Sequence, residues 1–163
     1  MEAMRLLIVT QKVDENDAIL GFFHGWIVEF AKNCEFVTVI CLQEGVHHLP
    51  ENVKVLSLGK EKRRSRLRYL ARFYKYIWQE RKKYDAVFVH MNPVYIVLGG
   101  IIWKVLGKKI ALWYTHKKTN TKLRIAAWFA DIIFTASKES FRLKNKKVKI
   151  LGHGIDTESF SSA

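Results

Sequence analysis

Apolar and polar positions follow two rhythms along this chain. Residues 4–10 form a near-continuous apolar run of strand length, the pattern of a strand buried on both faces. Residues 21–33 then place Phe22, Phe23, Trp26, Ile27 and Phe30 at spacings of three and four, which lines one side of a helix. Residues 35–42 read as the next strand. Strand, loop, helix and strand in this order start an open parallel sheet, with the first strand at its centre. A right-handed crossover leaves the loop at residues 11–20 on the carboxyl edge of that sheet, beside the helix amino terminus, where such sheets bind ligands.

The rest of the chain repeats the alternation. A weakly one-sided strand at residues 53–58 belongs near an edge, and Gly59 closes it. Residues 60–83 carry a long helical pattern with Leu67, Leu70, Phe73, Tyr74, Ile77 and Trp78 on one face and cations over the remainder. Residues 84–90 are a fourth strand, and residues 91–93 break it and open a helix that is apolar nearly all round to residue 106, a pattern expected between the sheet and other elements. Gly107 is its natural stop. Residues 109–115 form a fifth strand running into His116, residues 122–130 a helix, and residues 131–136 a sixth strand. Ser137 reads as the cap of a further helix, and residues 148–151 as a last short strand. The expected fold is α/β, a Rossmann-like three-layer sandwich around a mostly parallel twisted sheet of about seven strands. With 163 residues and no internal linker, this is one domain.

Charge narrows the partners. The net charge of +13 favours polyanions: nucleic acid, anionic lipid headgroups or phosphorylated small molecules. Cys34 and Cys41 read as buried, reduced thiols, and no zinc spacing is present. The longest apolar window is too short to span a bilayer, so membrane contact is expected to be peripheral. The basic helix has three readings: solvated face, nucleic-acid surface, or interfacial helix on anionic lipid. The last is favoured, with Arg63, Arg64, Arg68, Arg72 and Lys75 as the lipid-facing cations.

Candidate chemistry gathers at the carboxyl edge. The loop at residues 11–20 lacks the G-x-G-x-x-G pattern, and Gly21 either lets a ligand reach the helix amides or is a plain loop glycine. Asp14, Glu15 and Asp17 in the same loop repel an anion and suit sugar hydroxyls. His24 falls on the first turn of the helix, where the simpler reading is a partly exposed helix residue. His90 and His116 each end a predicted parallel strand, where side chains point into the ligand crevice. His47 and His48 read as solvated loop residues. No nucleophile elbow, P-loop or metal-binding histidine pair occurs, which leaves hydrolase and NTPase readings without support.

With these elements in place, the chain resembles the amino-terminal domain of a GT-B glycosyltransferase of the family 4 retaining group. The match rests on residues 5–11 (RLLIVTQ), 20–24 (LGFFH), 36–40 (FVTVI), 113–116 (WYTH), Ala130-Asp131, Thr135-Ala-Ser137, and Gly154-Ile-Asp156 with Phe160. The resemblance implies the acceptor-binding half of a two-domain enzyme, with a carboxy-terminal domain, absent from this chain, holding most of a nucleotide-sugar donor. It implies that His116 faces donor sugar and acceptor and orients the reacting hydroxyl, and it carries over Gly21; Asp17, His24, His90 and Asn92 are further candidate contacts by their place at the carboxyl edge. Ile19-Leu20-Gly21 departs from the family's paired glycines. No metal or cofactor is expected, the nucleotide sugar being a substrate. The half is expected to be inactive alone, cytoplasmic, and peripheral at the inner face of a membrane. The competing expectation is a non-enzymatic basic module for nucleic acid or a protein partner, with nucleic acid disfavoured.

Overall fold

The computed structural model describes residues 4–63 and 65–152. Arg64 and the motif at residues 154–160 lie outside the described residues. Seven strands, β1 (Arg5–Val13), β2 (Phe36–Glu44), β3 (Val53–Ser57), β4 (Ala86–His90), β5 (Lys109–Trp113), β6 (Ile132–Thr135) and β7 (Val148–Ile150), form one all-parallel sheet in the order β3-β2-β1-β4-β5-β6-β7. The order reverses between β1 and β4, which opens a crevice at the carboxyl ends of those two strands. β1 is interior and β3 is an edge, as the patterns require. The middle position in the sheet belongs to β4.

Side-chain alternation along the strands builds two cores. Leu6 and Ile8 of β1 join Phe23, Ile27 and Ala31 of helix α1 (Phe22–Asn33) on one face. Leu7 and Val9 join the other face, beneath helices α2 (Arg66–Gln79), α3 (Val94–Val105) and α4 (Thr121–Phe129). Right-handed crossovers dictate this split, because β1 to β2 steps one way along the sheet and β3 to β4 to β5 to β6 steps the other. The result is the three-layer sandwich. Cys34 and Cys41 are buried and unpaired.

Four elements differ from the pattern reading. The basic helix does not begin at residue 60: a short 3-10 helix at Lys60–Lys62 is flanked by Gly59 and Arg63 at φ 99° and 49°, and α2 starts only after Ser65. Two left-handed residues so close together break a helix whatever the side-chain rhythm says. Within α2, Phe73 and Ile77 are buried, whereas Leu67 and Trp78 face solvent. Arg72 does not point outward as a lipid-facing cation; its guanidinium donates to the Ser57 carbonyl at 3.1 Å, beside the Tyr76 hydroxyl on the same oxygen at 3.2 Å. Helix α3 is not covered all round, because Ile101 and Val105 are exposed. No helix follows Ser137; its hydroxyl closes a local turn by accepting from the Ser140 amide at 3.3 Å.

Close packing explains two glycines of α3. A methyl group on Gly100 would lie 2.7 Å from the Phe129 ring, so the bare backbone lets α4 press against α3. Gly99 makes the same room for Trp103, which is fully buried.

Candidate functional site

β1 and β4 run in register from Leu6 opposite Ala86 to Val9 opposite Val89, which brings the next pair, Thr10 and His90, together at the carboxyl edge. The Thr10 hydroxyl and His90 Nδ1 share a hydrogen bond of 3.2 Å, and both residues are buried. The imidazole stacks on Phe23 at 3.8 Å between ring centres, and Phe22 and Trp26 close it edge-on at 6.1 Å each. Burial among these rings drives the His90 pKa down to about 3, so the imidazole is neutral. Its Nε2 has no hydrogen-bond partner among the described residues. A buried polar atom left unpaired in this way marks a strained or functional position.

Immediately after His90 the backbone doubles back. The Asn92 amide donates to the His90 carbonyl at 2.8 Å across Met91, which sits at φ 63°. A non-glycine residue in this conformation is costly and persists because its surroundings hold it. Here the Met91 amide donates to the Trp113 carbonyl at 2.8 Å, and the Thr115 hydroxyl donates to the Met91 sulfur at 3.2 Å. The turn therefore ties the end of β4 to the segment carrying His116. Asn92 accepts from the Val94 amide at 3.1 Å and shapes the entry to α3.

β5 ends at Trp113, so His116 lies three residues beyond the strand, exposed, with its ring 5.6 Å from Tyr114. The Tyr114 hydroxyl donates to the Lys118 carbonyl at 2.8 Å and holds this loop against the sheet. His116 shares the carboxyl edge with Thr10 and His90 and is the solvent-facing member of the three.

On the other side of the crevice, β1 continues to Val13, three residues past its expected end. The loop that follows is organised by a group the pattern reading passed over, Lys12. Its ammonium contacts Asp14 at 3.0 Å and Asp17 at 2.6 Å. Asp17 also accepts the Ile19 and Leu20 amides at 2.9 and 2.7 Å. Lys12 and these amides hold its carboxyl down at about 2. The entry to α1 thus carries its own anion, and three carboxylates within five residues of a lysine were the available signal. At Gly21 an added Cβ would lie 2.5 Å from the Asp17 carbonyl oxygen and 2.9 Å from that of Glu15, so close packing of the loop already accounts for this glycine. His24 is part-buried: its Nε2 accepts the His48 amide at 3.3 Å, and His48 Nδ1 lies 2.8 Å from Glu15. His47 is likewise engaged, 3.1 Å from Glu44. Among the described residues, no group of three or more His, Cys, Asp and Glu is arranged to hold a metal ion.

No protein-family model and no curated protein matches the chain. Solved structures do. Anabaena HepE in complex with UDP superposes with a TM-score of 0.64 at 17% identity, over 95% of this chain and 45% of that one. The lipopolysaccharide outer core galactosyltransferase WaaB, apo form, gives 0.59 at 11% identity, over 93% and 46%. The UDP-GlcNAc 2-epimerase from Methanocaldococcus jannaschii gives 0.58 at 11% identity, over 89% and 45%. The chain shares the fold of these proteins. It spans a little under half the length of each.

Proposed function

We propose that this chain is the acceptor-binding half of a retaining GT-B glycosyltransferase, one that moves a sugar from a nucleotide-sugar donor to a lipid-linked or membrane-proximal acceptor. The observation that carries the reading is the meeting of Thr10, His90 and the Met91 turn at the sheet's switch point, with His116 exposed on the same edge. A likeness to Anabaena HepE, solved with UDP and with UDP-glucose, over less than half of its length, supports it.

In this mechanism the protein's task is orientation and electrostatic stabilisation of an oxocarbenium-like state. His116, exposed and carried on a braced loop, hydrogen-bonds the acceptor hydroxyl. His90, neutral and rigidly stacked, shapes the floor of the crevice beneath it. Asp17, held ionised by Lys12, lines the opposite wall and favours hydroxyl groups over anions. The diphosphate and most of the donor fall to a second domain, so this half alone does not turn over. The exposed cations of α2 and of Arg63 each add on the order of 1 kcal/mol of attraction near an anionic membrane.

A second reading follows from the UDP-GlcNAc 2-epimerase among the similar structures: the same half-fold serving a sugar nucleotide that is both substrate and product. Incubating the chain together with its donor-binding domain, UDP-sugars and lipid acceptors separates the two. Transfer to lipid supports the first reading; an epimerised nucleotide sugar without transfer supports the second. Substantial transfer by the isolated chain contradicts the division of labour. The third possibility, a basic nucleic-acid module, predicts RNA or DNA binding that falls steeply with salt.

A further inference from the structure

A second concave surface lies away from the crevice. Helix α4 runs back to the amino edge of the sheet, and the segment that follows β6 returns beside it to enter β7 at that same edge. Between them is an open depression of about 420 Å³, lined by Arg124, Ala127, Trp128, Leu143, Lys144 and Lys147. Ala127 is buried and Leu143 half-buried, whereas Trp128 is 74% exposed, so the lining joins an apolar floor to a free indole. That indole is not loose. Phe129 meets it edge-on at 4.7 Å and itself rests against Gly100 of α3. A rigid exposed tryptophan beside a hollow is the arrangement that anchors a protein contact.

The charge at this hollow is of one sign and uncompensated. Lys147 is spent internally, its ammonium donating to the Ala127, Trp128 and Ala130 carbonyls at 3.1, 3.1 and 2.8 Å, which cancels the negative end of α4. Arg124 and Lys144 are exposed, and neither side chain has a hydrogen-bond or ion-pair partner among the described residues. Between residues 117 and 149 the only carboxylates are Asp131 and Glu139. Asp131 is already held by Lys104 at 2.6 Å and the Ile110 amide at 2.8 Å. Arg142 and Lys146 add exposed cations along the returning segment. The complement is a surface with carboxylates around an apolar side chain. A second copy of this chain would set the cations against themselves. Nucleic acid would match the cations, yet it has no use for Ile101 and Val105, which α3 exposes next to the Gly100 contact.

We propose that this hollow docks an acidic amphipathic helix of a partner protein, with an apolar side chain seated against Trp128 and Leu143 and carboxylates on Arg124 and Lys144. The apolar stripe of such a helix extends over Ile101 and Val105. Because the hollow sits at the amino edge, the partner leaves the crevice at the carboxyl edge open. The docking stands apart from sugar transfer and holds or fails without it.

The test is calorimetric titration of the chain with synthetic helical peptides of about 20 residues, roughly 30 Å long. One peptide carries a leucine stripe between glutamates, a second has the leucines replaced by serine, and a third has the glutamates replaced by lysine. The first is expected to bind with micromolar affinity and the other two about tenfold more weakly or worse. Trp128→Ala, and Arg124→Glu with Lys144→Glu, should each weaken the first peptide about tenfold. These side chains are exposed, so the variants should melt as the parent does. Arg66→Glu with Arg68→Glu removes the same charge at the opposite edge and should change the affinity much less. No binding of the first peptide, equal binding of the serine peptide, or equal loss from both charge-reversed pairs would overturn the proposal. So would displacement of the peptide by single-stranded RNA that Trp128→Ala abolishes, or a dimer in solution that the same substitution dissociates.

Discussion

The Thr10 hydroxyl and the His90 imidazole meet at 3.2 Å across the seam where the strand order reverses. This bond joins β1 to β4 beneath the crevice and leaves Nε2 as the end of a buried ring that has no partner among the described residues. Removing the hydroxyl should therefore cost more than its size suggests. Thr10→Val is expected to destabilise the chain by about 1–3 kcal/mol, because Nδ1 joins Nε2 without a partner. Urea unfolding at neutral pH measures it.

The same histidine sets an acid sensitivity. Burial lowers its pKa from 6.5 to about 3, so the unfolded chain takes up a proton that the folded chain refuses between those values. Stability from this group is complete above pH 6.5 and falls by about 1.4 kcal/mol per pH unit toward pH 3. His90→Phe should flatten that limb of the stability profile, and an unchanged slope would show that other groups dominate.

Gly21 stands against the loop's own carbonyl oxygens, with no room for a methyl group. Gly21→Ala is expected to cost about 1–3 kcal/mol through displacement of residues 15–17. Because Asp17 would then lose its fixed geometry with Lys12, the carboxyl should titrate closer to its ordinary value, which carbon-detected NMR reads directly.

His116 is exposed, so His116→Ala should alter stability by no more than about 0.5 kcal/mol. In a transfer assay supplied with the donor-binding domain, the same variant should lose about a hundredfold or more in turnover. Thr10→Val, which touches only the floor, should lose far less.

Strand and helix order was legible because burial on both faces writes continuous apolar runs, as in β1 and β4, and burial on one writes a stripe, as in α1. The placing of the loop after β1 at the carboxyl edge followed from the handedness of crossovers, whereas the reversal between β1 and β4 emerges only from the strand order of the folded sheet. What escaped the pattern was set by contacts between distant segments or by backbone angles. Arg63 at φ 49° and Gly59 at φ 99° stop the basic helix early, and nothing in its side-chain spacing signals that. Leu67 and Trp78 fit the apolar stripe of α2, yet the sheet beneath covers only the arc through Phe73 and Ile77. Lys12 carried no signal in the apolar pattern, because only the folded chain brings Asp14 and Asp17 around its ammonium. The aromatic enclosure of His90 is likewise tertiary, since Phe22, Phe23 and Trp26 reach it from another element.

The central claim is that a sugar acceptor sits at the carboxyl edge between β1 and β4. An amide NMR titration with octyl glucoside below its micelle concentration tests it most directly. The account predicts shifts gathered at Gln11, Gly21, His90, Met91 and residues 115–117, and their loss in Thr10→Val with His116→Ala. Shifts that spare those amides and concentrate on the ends of α3 and α4, or that survive the double substitution unchanged, would contradict it.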